Sequence, residues 1–444
     1  MDNIDAALWS KNHLWHPFTQ MQDWEASAPL VIRDGHGIML TGADGREYYD
    51  ANSSLWVNIH GHRRPEIDAA LHRQLDTLAH STMLGLVHEP AAVLAKRLVE
   101  IAPEGLERVF YSDTGATAVE IALKMAFQYW QHRGQPERTR CIALTDGYHG
   151  DTLGAVSVGG IGLFHGIFHP LLFQAEFVES PSRFATAEEA SAAIETVLEQ
   201  HHNETFAIIV EPLIQGAGGM LVHPPGTLRA IRELCDRYDV LLIVDEVATG
   251  FGRTGTMFAS DQENVSPDIM TLAKGLTGGY LPLAATLTTE RIYSAFLGDF
   301  SELKTFFHGH SYTGNPLACT AAIASLDVFR DSQVIAGLPD KIELVRDRLA
   351  AIGQNAHVGS VRQCGLMTGI EIVRHKNPCV PYEWEQNVGA RICIRARSLG
   401  LITRPLGNVV VFMPPLCSTA EELDDMLTII ETAINQEMLA FDND

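Results

Sequence analysis

From about residue 61 onward, short unbroken apolar runs alternate with stretches of helical periodicity. The runs are Arg108–Tyr111, Cys141–Leu144, Ala207–Val210, Val240–Val244 and Ile269–Leu272. Runs of that length between amphipathic helices predict strands buried on both faces, in a mostly parallel sheet covered by helices. One helix is legible in detail. After Ser112, the residues Val119, Leu123, Ala126 and Trp130 fall on one face, and Glu120 and Lys124 form an i,i+4 pair on another. The texture differs at the two ends. Residues 1–60 are short, aromatic-rich pieces with turns at Arg33-Asp34-Gly35-His36-Gly37 and Ala43-Asp44-Gly45-Arg46. Beyond 330 the pattern predicts a helix near Asp340–Ile352, short strands around Gly365–Val373 and Val409–Met413, and amphipathic helices ending near Met438. The expected organisation is a large α/β domain over 61–329, with 1–60 and 330–444 together forming a smaller α+β domain.

Composition changes this picture little. The chain is 46% hydrophobic and 20% charged, with no repeat or low-complexity tract. Its formal net charge of -23 argues against nucleic acid or an anionic membrane as a partner. The start, Met1-Asp2-Asn3-Ile4-Asp5, lacks the basic and apolar regions of a signal peptide. No apolar run approaches the roughly 18 residues that span a bilayer. The seven cysteines are scattered and form no CxxC, which reads as reduced thiols in a cytoplasmic enzyme.

Chemistry concentrates at strand ends, where sites in open α/β sheets lie. Val240–Val244 runs into Asp245-Glu246, and Ile269–Leu272 runs into Ala273-Lys274-Gly275. A carboxylate and a lone lysine on successive strands meet the needs of a pyridoxal-phosphate enzyme. The lysine holds the cofactor covalently, and the carboxylate keeps the ring nitrogen protonated. Lys274 has apolar residues before it and Gly275, Gly278 and Gly279 after it, surroundings that lower an ammonium pKa. Between a strand and a helix, Ser112-Asp113-Thr114-Gly115-Ala116-Thr117 offers free backbone N–H groups to a phosphate, although a plain helix cap is the ordinary use of such a turn. Tyr148, in Asp146-Gly147-Tyr148-His149-Gly150, follows the next strand and can stack on an aromatic cofactor.

Two motifs are set aside. Gly250-Phe251-Gly252-Arg253-Thr254-Gly255 satisfies GxGxxG, but it does not open a helix directly after the strand, so a dinucleotide site is disfavoured. His-Gly-His occurs at 60–62 and 308–310 without companion ligands at zinc spacing, so loop histidines and no metal are expected.

These residues resemble the class III aminotransferases, of fold-type I. The likeness runs through Leu242–Gly255, Leu272–Gly279, Glu211-Pro212-Leu213-Ile214-Gln215-Gly216-Ala217-Gly218-Gly219 and Gly314-Asn315-Pro316, and it covers nearly the whole chain. Leu14-Trp15-His16-Pro17-Phe18-Thr19-Gln20-Met21, Ser53-Ser54-Leu55-Trp56, Asn58–His62 and Thr403-Arg404-Pro405-Leu406-Gly407 resemble the branch that aminates 8-amino-7-oxononanoate in biotin biosynthesis.

The resemblance implies pyridoxal phosphate as cofactor, with Lys274, Asp245 and Tyr148 catalytic. It implies Thr114, Gly115, Ala116, Glu211 and Ser311 as further cofactor residues, with Ser311 reaching across a homodimer. Phe18, Trp56, Gly309 and Arg404 are the implied substrate residues, together with Tyr148 and Lys274; Arg404 clamps the carboxylate. Members of that branch that use S-adenosylmethionine as donor carry Tyr where Phe18 stands and a tryptophan pair where Leu55-Trp56 stands. This chain is similar at both positions to members associated with lysine, so both donors stay open. Another class III transaminase, or a catalytically silent protein of the same fold, are the alternative readings.

Overall fold

A computed structural model describes residues 5–441; the opening segment 1–4, read above for a signal peptide, lies outside the described residues. At its centre is a seven-stranded sheet. The spatial order is Leu106–Ser112, Ala284–Thr289, Ile269–Leu272, Leu241–Asp245, Thr205–Val210, Arg140–Leu144 and Glu176–Val178. All neighbours pair in parallel except Ala284–Thr289, which runs antiparallel to both of the strands beside it. Two of these strands escape the apolar-run pattern for evident reasons. Glu176–Val178 is only three residues long, and Ala284–Thr289 is built mainly from alanine and threonine.

The unbroken apolar runs are buried on both faces, and the period of two sorts them. Leu241 and Ile243 pack with Val119, Leu123, Ala126 and Trp130 of the helix Gly115–His132. Leu242 and Val244 point the other way, into a core with Ile194 and Leu198 of helix Ala187–His201 and Leu228 and Ile231 of helix Thr227–Tyr238. The sheet is thus a middle layer between helices, as the parallel topology requires.

Residues from both chain ends share one small sheet. Ile32–His36, Met39–Gly42 and Glu47–Asp50 form an antiparallel meander, and Leu401–Ile402 pairs in parallel with its last strand, Ile402 opposite Asp50. A second sheet joins the hairpin Val358–Cys364 and Met367–His375 to Val409–Phe412 and Pro405–Leu406. Helices Leu338–Ile352, Val388–Ser398 and Ala420–Phe441 cover these strands. Among the described residues no helix is long and apolar enough to cross a membrane. All seven cysteines are free thiols.

The GxGxxG segment forms a series of turns, not a helix start, with Gly252 at φ +88° and Gly255 at φ +109°. It serves to bury Arg253. That guanidinium donates to the carbonyls of Pro414 (2.6 Å), Asn58 (3.0 Å) and Trp56 (3.4 Å), bracing two remote segments beside the cavity described next.

Candidate active site

The parallel register sets Asp245 opposite Thr271, three residues before Lys274, so both chemical groups emerge at the same edge of the sheet. There they line a cavity of about 650 Å³ together with Thr114, Gly115, Ala116 and Tyr148. A cavity of that size suits a small cofactor with its substrate.

Lys274 sits at φ +41°, at the start of a short 3-10 turn, and its side chain enters a buried site. Burial disfavours the ammonium and brings its pKa down from 10.5 to about 8, against the pull of Asp245 and Glu211. Its Nζ lies 4.8 Å from the centroid of the Trp56 ring and makes no hydrogen bond or ion pair among the described residues.

Asp245 is held on all sides. One oxygen accepts from Val247 N–H and Thr271 Oγ1–H, each at 3.0 Å, and the other accepts from His149 Nδ1–H at 2.7 Å. A carboxylate has about four acceptor positions, so one is left toward the cavity. Burial alone would keep His149 neutral, but its bond and charge interaction with Asp245 prevail and raise its pKa. His149 is the residue that sequence reading passed over: it stood in the Tyr148 loop as a neighbour, with nothing to mark a partner 96 positions away.

Glu211 is buried and accepts from the N–H of Tyr148 (3.0 Å) and of Gly216 (2.9 Å). Burial pushes its carboxyl up to about 7. It therefore fixes the backbone of the tyrosine loop. The Tyr148 hydroxyl donates to Asp151 at 2.7 Å, and its ring is edged by Phe164 and stacked on His165.

At the strand-to-helix turn both readings of the sequence hold together. The Thr114 hydroxyl caps the helix by accepting from Thr117 N–H (3.2 Å). Gly115 and Ala116, the first residues of that helix, line the cavity, and a helix N-terminus favours an anion. Glycine is required here by proximity: a Cβ on Gly115 would stand 2.6 Å from Val247 Cγ1.

Trp56 is carried by an unusual segment. Ser53, Ser54, Leu55 and Trp56 have φ of +47°, +48°, +71° and +70°, four consecutive non-glycine residues in the left-handed region. That conformation costs roughly 1–2 kcal/mol per residue. It buries the Trp56 ring over Lys274 and leaves Leu55 48% exposed.

The remaining sequence candidates lie apart from this cavity lining. Phe18 is 60% exposed and touches Phe164 edge-on at 5.5 Å between ring centroids. Arg404 is half-buried just after the strand Leu401–Ile402, close enough for its charge to act on both Lys274 and Tyr148. Its guanidinium has no hydrogen-bond or ion-pair partner among the described residues, and burial lowers its pKa. Gly309 and Ser311 lie on an exposed stretch and do not line the cavity of their own chain. The 60–62 and 308–310 histidines form no metal cluster among the described residues. His60 lies in a loop as expected, but that loop is buried: its ring packs against Phe329 and Ser325, and burial takes its pKa to about 3.

Comparison with known proteins agrees with this geometry. Residues 20–434 match the family Aminotransferase class-III. An adenosylmethionine-8-amino-7-oxononanoate aminotransferase of Geobacter sulfurreducens is 52% identical over 439 residues, 96% of each chain. The crystal structure of the protein of that name from Methanocaldococcus jannaschii superposes with a TM-score of 0.95 at 45% identity, covering 97% of this chain and 98% of that one. The ω-transaminase of Pseudomonas jessenii in complex with PMP gives a TM-score of 0.93 at 29% identity over 98% of each chain. The chain belongs to the class III aminotransferases, enzymes that depend on pyridoxal phosphate.

The residues present fit that cofactor. An unpartnered amine of lowered pKa, a carboxylate with a spare acceptor position and a helix N-terminus converge on one cavity. Bound there, pyridoxal phosphate supplies an electron sink for the carbon bearing the transferred amine.

Proposed function

We propose that this enzyme transfers an amino group to the 7-oxo carbon of 8-amino-7-oxononanoate in biotin biosynthesis, from S-adenosylmethionine or lysine. Several relatives at 44–52% identity over nearly the whole chain bear the name of that activity. The observation that carries the reading is Arg404. A half-buried guanidinium without a partner is costly, and a substrate carboxylate offers the bidentate acceptor it lacks.

In this reading Lys274 holds the cofactor and moves the proton, alternating between neutral and charged forms, for which a pKa of about 8 is suited. Asp245, hydrogen-bonded by His149, offers its spare acceptor position to the ring nitrogen. Thr114, Gly115 and Ala116 take the phosphate, Glu211 orders the Tyr148 loop against the ring, and Trp56 and Phe18 wall the substrate channel. Two copies share their active sites, with Ser311 of one completing the phosphate site of the other through the stretch that holds Gly309.

The test is a pair of half-reactions on purified enzyme loaded with pyridoxal phosphate. The visible absorbance of the cofactor is followed after adding S-adenosylmethionine alone and lysine alone, and then 8-amino-7-oxononanoate is supplied. Loss of absorbance with one donor, followed by recovery with the acceptor and formation of the diamine, is the expected result. Failure of the acceptor to restore the absorbance after either donor would rule the substrate out.

A further inference from the structure

The left-handed turn that carries Trp56 is opposed by its own residues, since Ser-Ser-Leu-Trp contains neither glycine nor asparagine to favour positive φ. Such a conformation persists only where the surroundings over-determine it. The surroundings here centre on Asp50. Its side chain is 1% exposed, and it accepts three hydrogen bonds. Two come from the second residue of the turn, Ser54 N–H at 2.8 Å and Ser54 Oγ–H at 2.7 Å. The third comes from His62 Nε2 at 3.0 Å, on the chain just beyond the turn. Burial works against the charge of Asp50, but the His62 and Ser54 bonds prevail and hold its carboxyl below the usual range.

Other contacts finish the turn without gripping its middle. Ser53 Oγ donates to the Met413 carbonyl (2.6 Å), and the Trp56 indole N–H donates to Asn52 Oδ1 (3.0 Å). Arg253 also donates to the carbonyl of Trp56 at 3.4 Å, but among the described residues only Asp50 accepts a backbone N–H of the turn on a side chain. Asp50 ends the strand Glu47–Asp50, and its neighbour in the sheet is Ile402, two residues before Arg404. One position therefore references both the tryptophan over Lys274 and the strand leading to the free guanidinium.

We propose that Asp50, tied by His62, is a positioning residue that holds the turn 53–56 in its left-handed form and thereby sets Trp56 against Lys274. A right-handed turn over the same residues would reverse the course of the chain and carry the indole away from the amine. Asp50 itself touches neither Lys274 nor any residue lining the cavity on the phosphate side; it acts through the turn. This rests on the placement of Trp56 in the substrate site proposed above.

Glycine supplies the test, because it adopts positive φ without the penalty borne by serine. The holoenzyme variants Asp50→Ala, Asp50→Ala with Ser54→Gly, and Trp56→Ala are compared with the parent by kcat, KM and thermal midpoint. Losing a charge-assisted bond to a backbone N–H predicts that Asp50→Ala raises KM for donor and acceptor by roughly tenfold, with kcat changed less. Adding Ser54→Gly should return KM to within about threefold of the parent and recover part of the lost thermal midpoint, because it removes the strain that Asp50 otherwise restrains. An Asp50→Ala enzyme indistinguishable from the parent would overturn the proposal. So would a double variant no better than Asp50→Ala in both KM and thermal midpoint. If Asp50→Ala does not fold, the comparison is made on Asp50→Asn with and without Ser54→Gly, with the same two decisive outcomes. Trp56→Ala separates the underlying reading: parental KM in that variant would remove Trp56 from the substrate site, whatever the Asp50 variants do to stability.

Discussion

His149 Nδ1 donates a 2.7 Å hydrogen bond to Asp245 Oδ2, with both side chains almost wholly buried. The contact crosses the sheet from the loop after Arg140–Leu144 to the end of Leu241–Asp245, over the intervening strand Thr205–Val210. It ties the loop of Tyr148 to the carboxylate that faces the cofactor cavity. A charge buried with one good partner is expensive to strand: removing a partner from such a pair costs about 3–5 kcal/mol. His149→Ala is therefore expected to lose stability on that order, and His149→Ala with Asp245→Asn to lose less than the sum of the single changes. The pH dependence has a definite sign. Because the folded pKa of His149 is raised above its ordinary 6.5, the stabilisation is fully present below pH 6.5 and fades as pH climbs through the folded value. Denaturant unfolding at low and high pH checks both points, and strictly additive effects would dissolve the pair.

Lys274 permits a kinetic prediction on the cofactor-free protein. Only the neutral amine attaches to an aldehyde, and burial brings its pKa to about 8. The rate at which added pyridoxal phosphate is taken up covalently should rise with pH up to about 8 and then level. A rate still climbing toward the ordinary lysine value of 10.5 would show that burial does not lower this amine. Lys274→Ala should fold and bind the cofactor without a covalent bond, and should not turn over.

Gly115 faces a steric limit. Its Cβ would stand 2.6 Å from Val247 Cγ1, closer than the packed strand end can concede without shifting. Val247 also donates its N–H to Asp245, so a push on Val247 reaches the carboxylate. Gly115→Ala should cost about 1–3 kcal/mol of stability, the usual range for overpacking. It should also weaken retention of pyridoxal phosphate during dialysis. Unchanged retention would remove this turn from the phosphate site.

What could be read from sequence follows from how local each determinant is. The apolar runs ending in Asp245 and Lys274 announce buried parallel strands because both faces of each strand are covered. The Ala284–Thr289 strand does not announce itself, since alanine and threonine suit many environments. Lys274 and Asp245 stand out through their place at strand ends. His149 and Asp50 do not, because their roles arise from contacts made in three dimensions. The left-handed turn at 53–56 was the least legible feature: its residues favour right-handed or extended backbone, and the groups that overrule them include Met413, some 360 positions along the chain. His60 shows what a correct loop reading leaves out: the His-Gly-His motif lies in a loop, yet the fold buries its ring beside Phe329.

Arg404 decides whether the site is built for a carboxylate. Burial penalises its charge, no described residue pairs with it, and its potential reaches Lys274 and Tyr148. A carboxylate bound in a fork would relieve that penalty, and charge-assisted bonds of this kind contribute about 1.5–3 kcal/mol. Arg404→Ala should accordingly lower kcat/KM for 8-amino-7-oxononanoate by roughly 10- to 150-fold. Arg404→Lys should recover only part of the loss, since an ammonium keeps the charge but not the planar fork. The control is an amino ketone of the same chain length without the terminal carboxylate, for which the parent and Arg404→Ala enzymes should have similar kcat/KM. Steady-state rates with both acceptors under one saturating donor measure the difference. If Arg404→Ala lost as much activity with the carboxylate-free ketone, the arginine would be supporting the channel wall and not reading the substrate's charge.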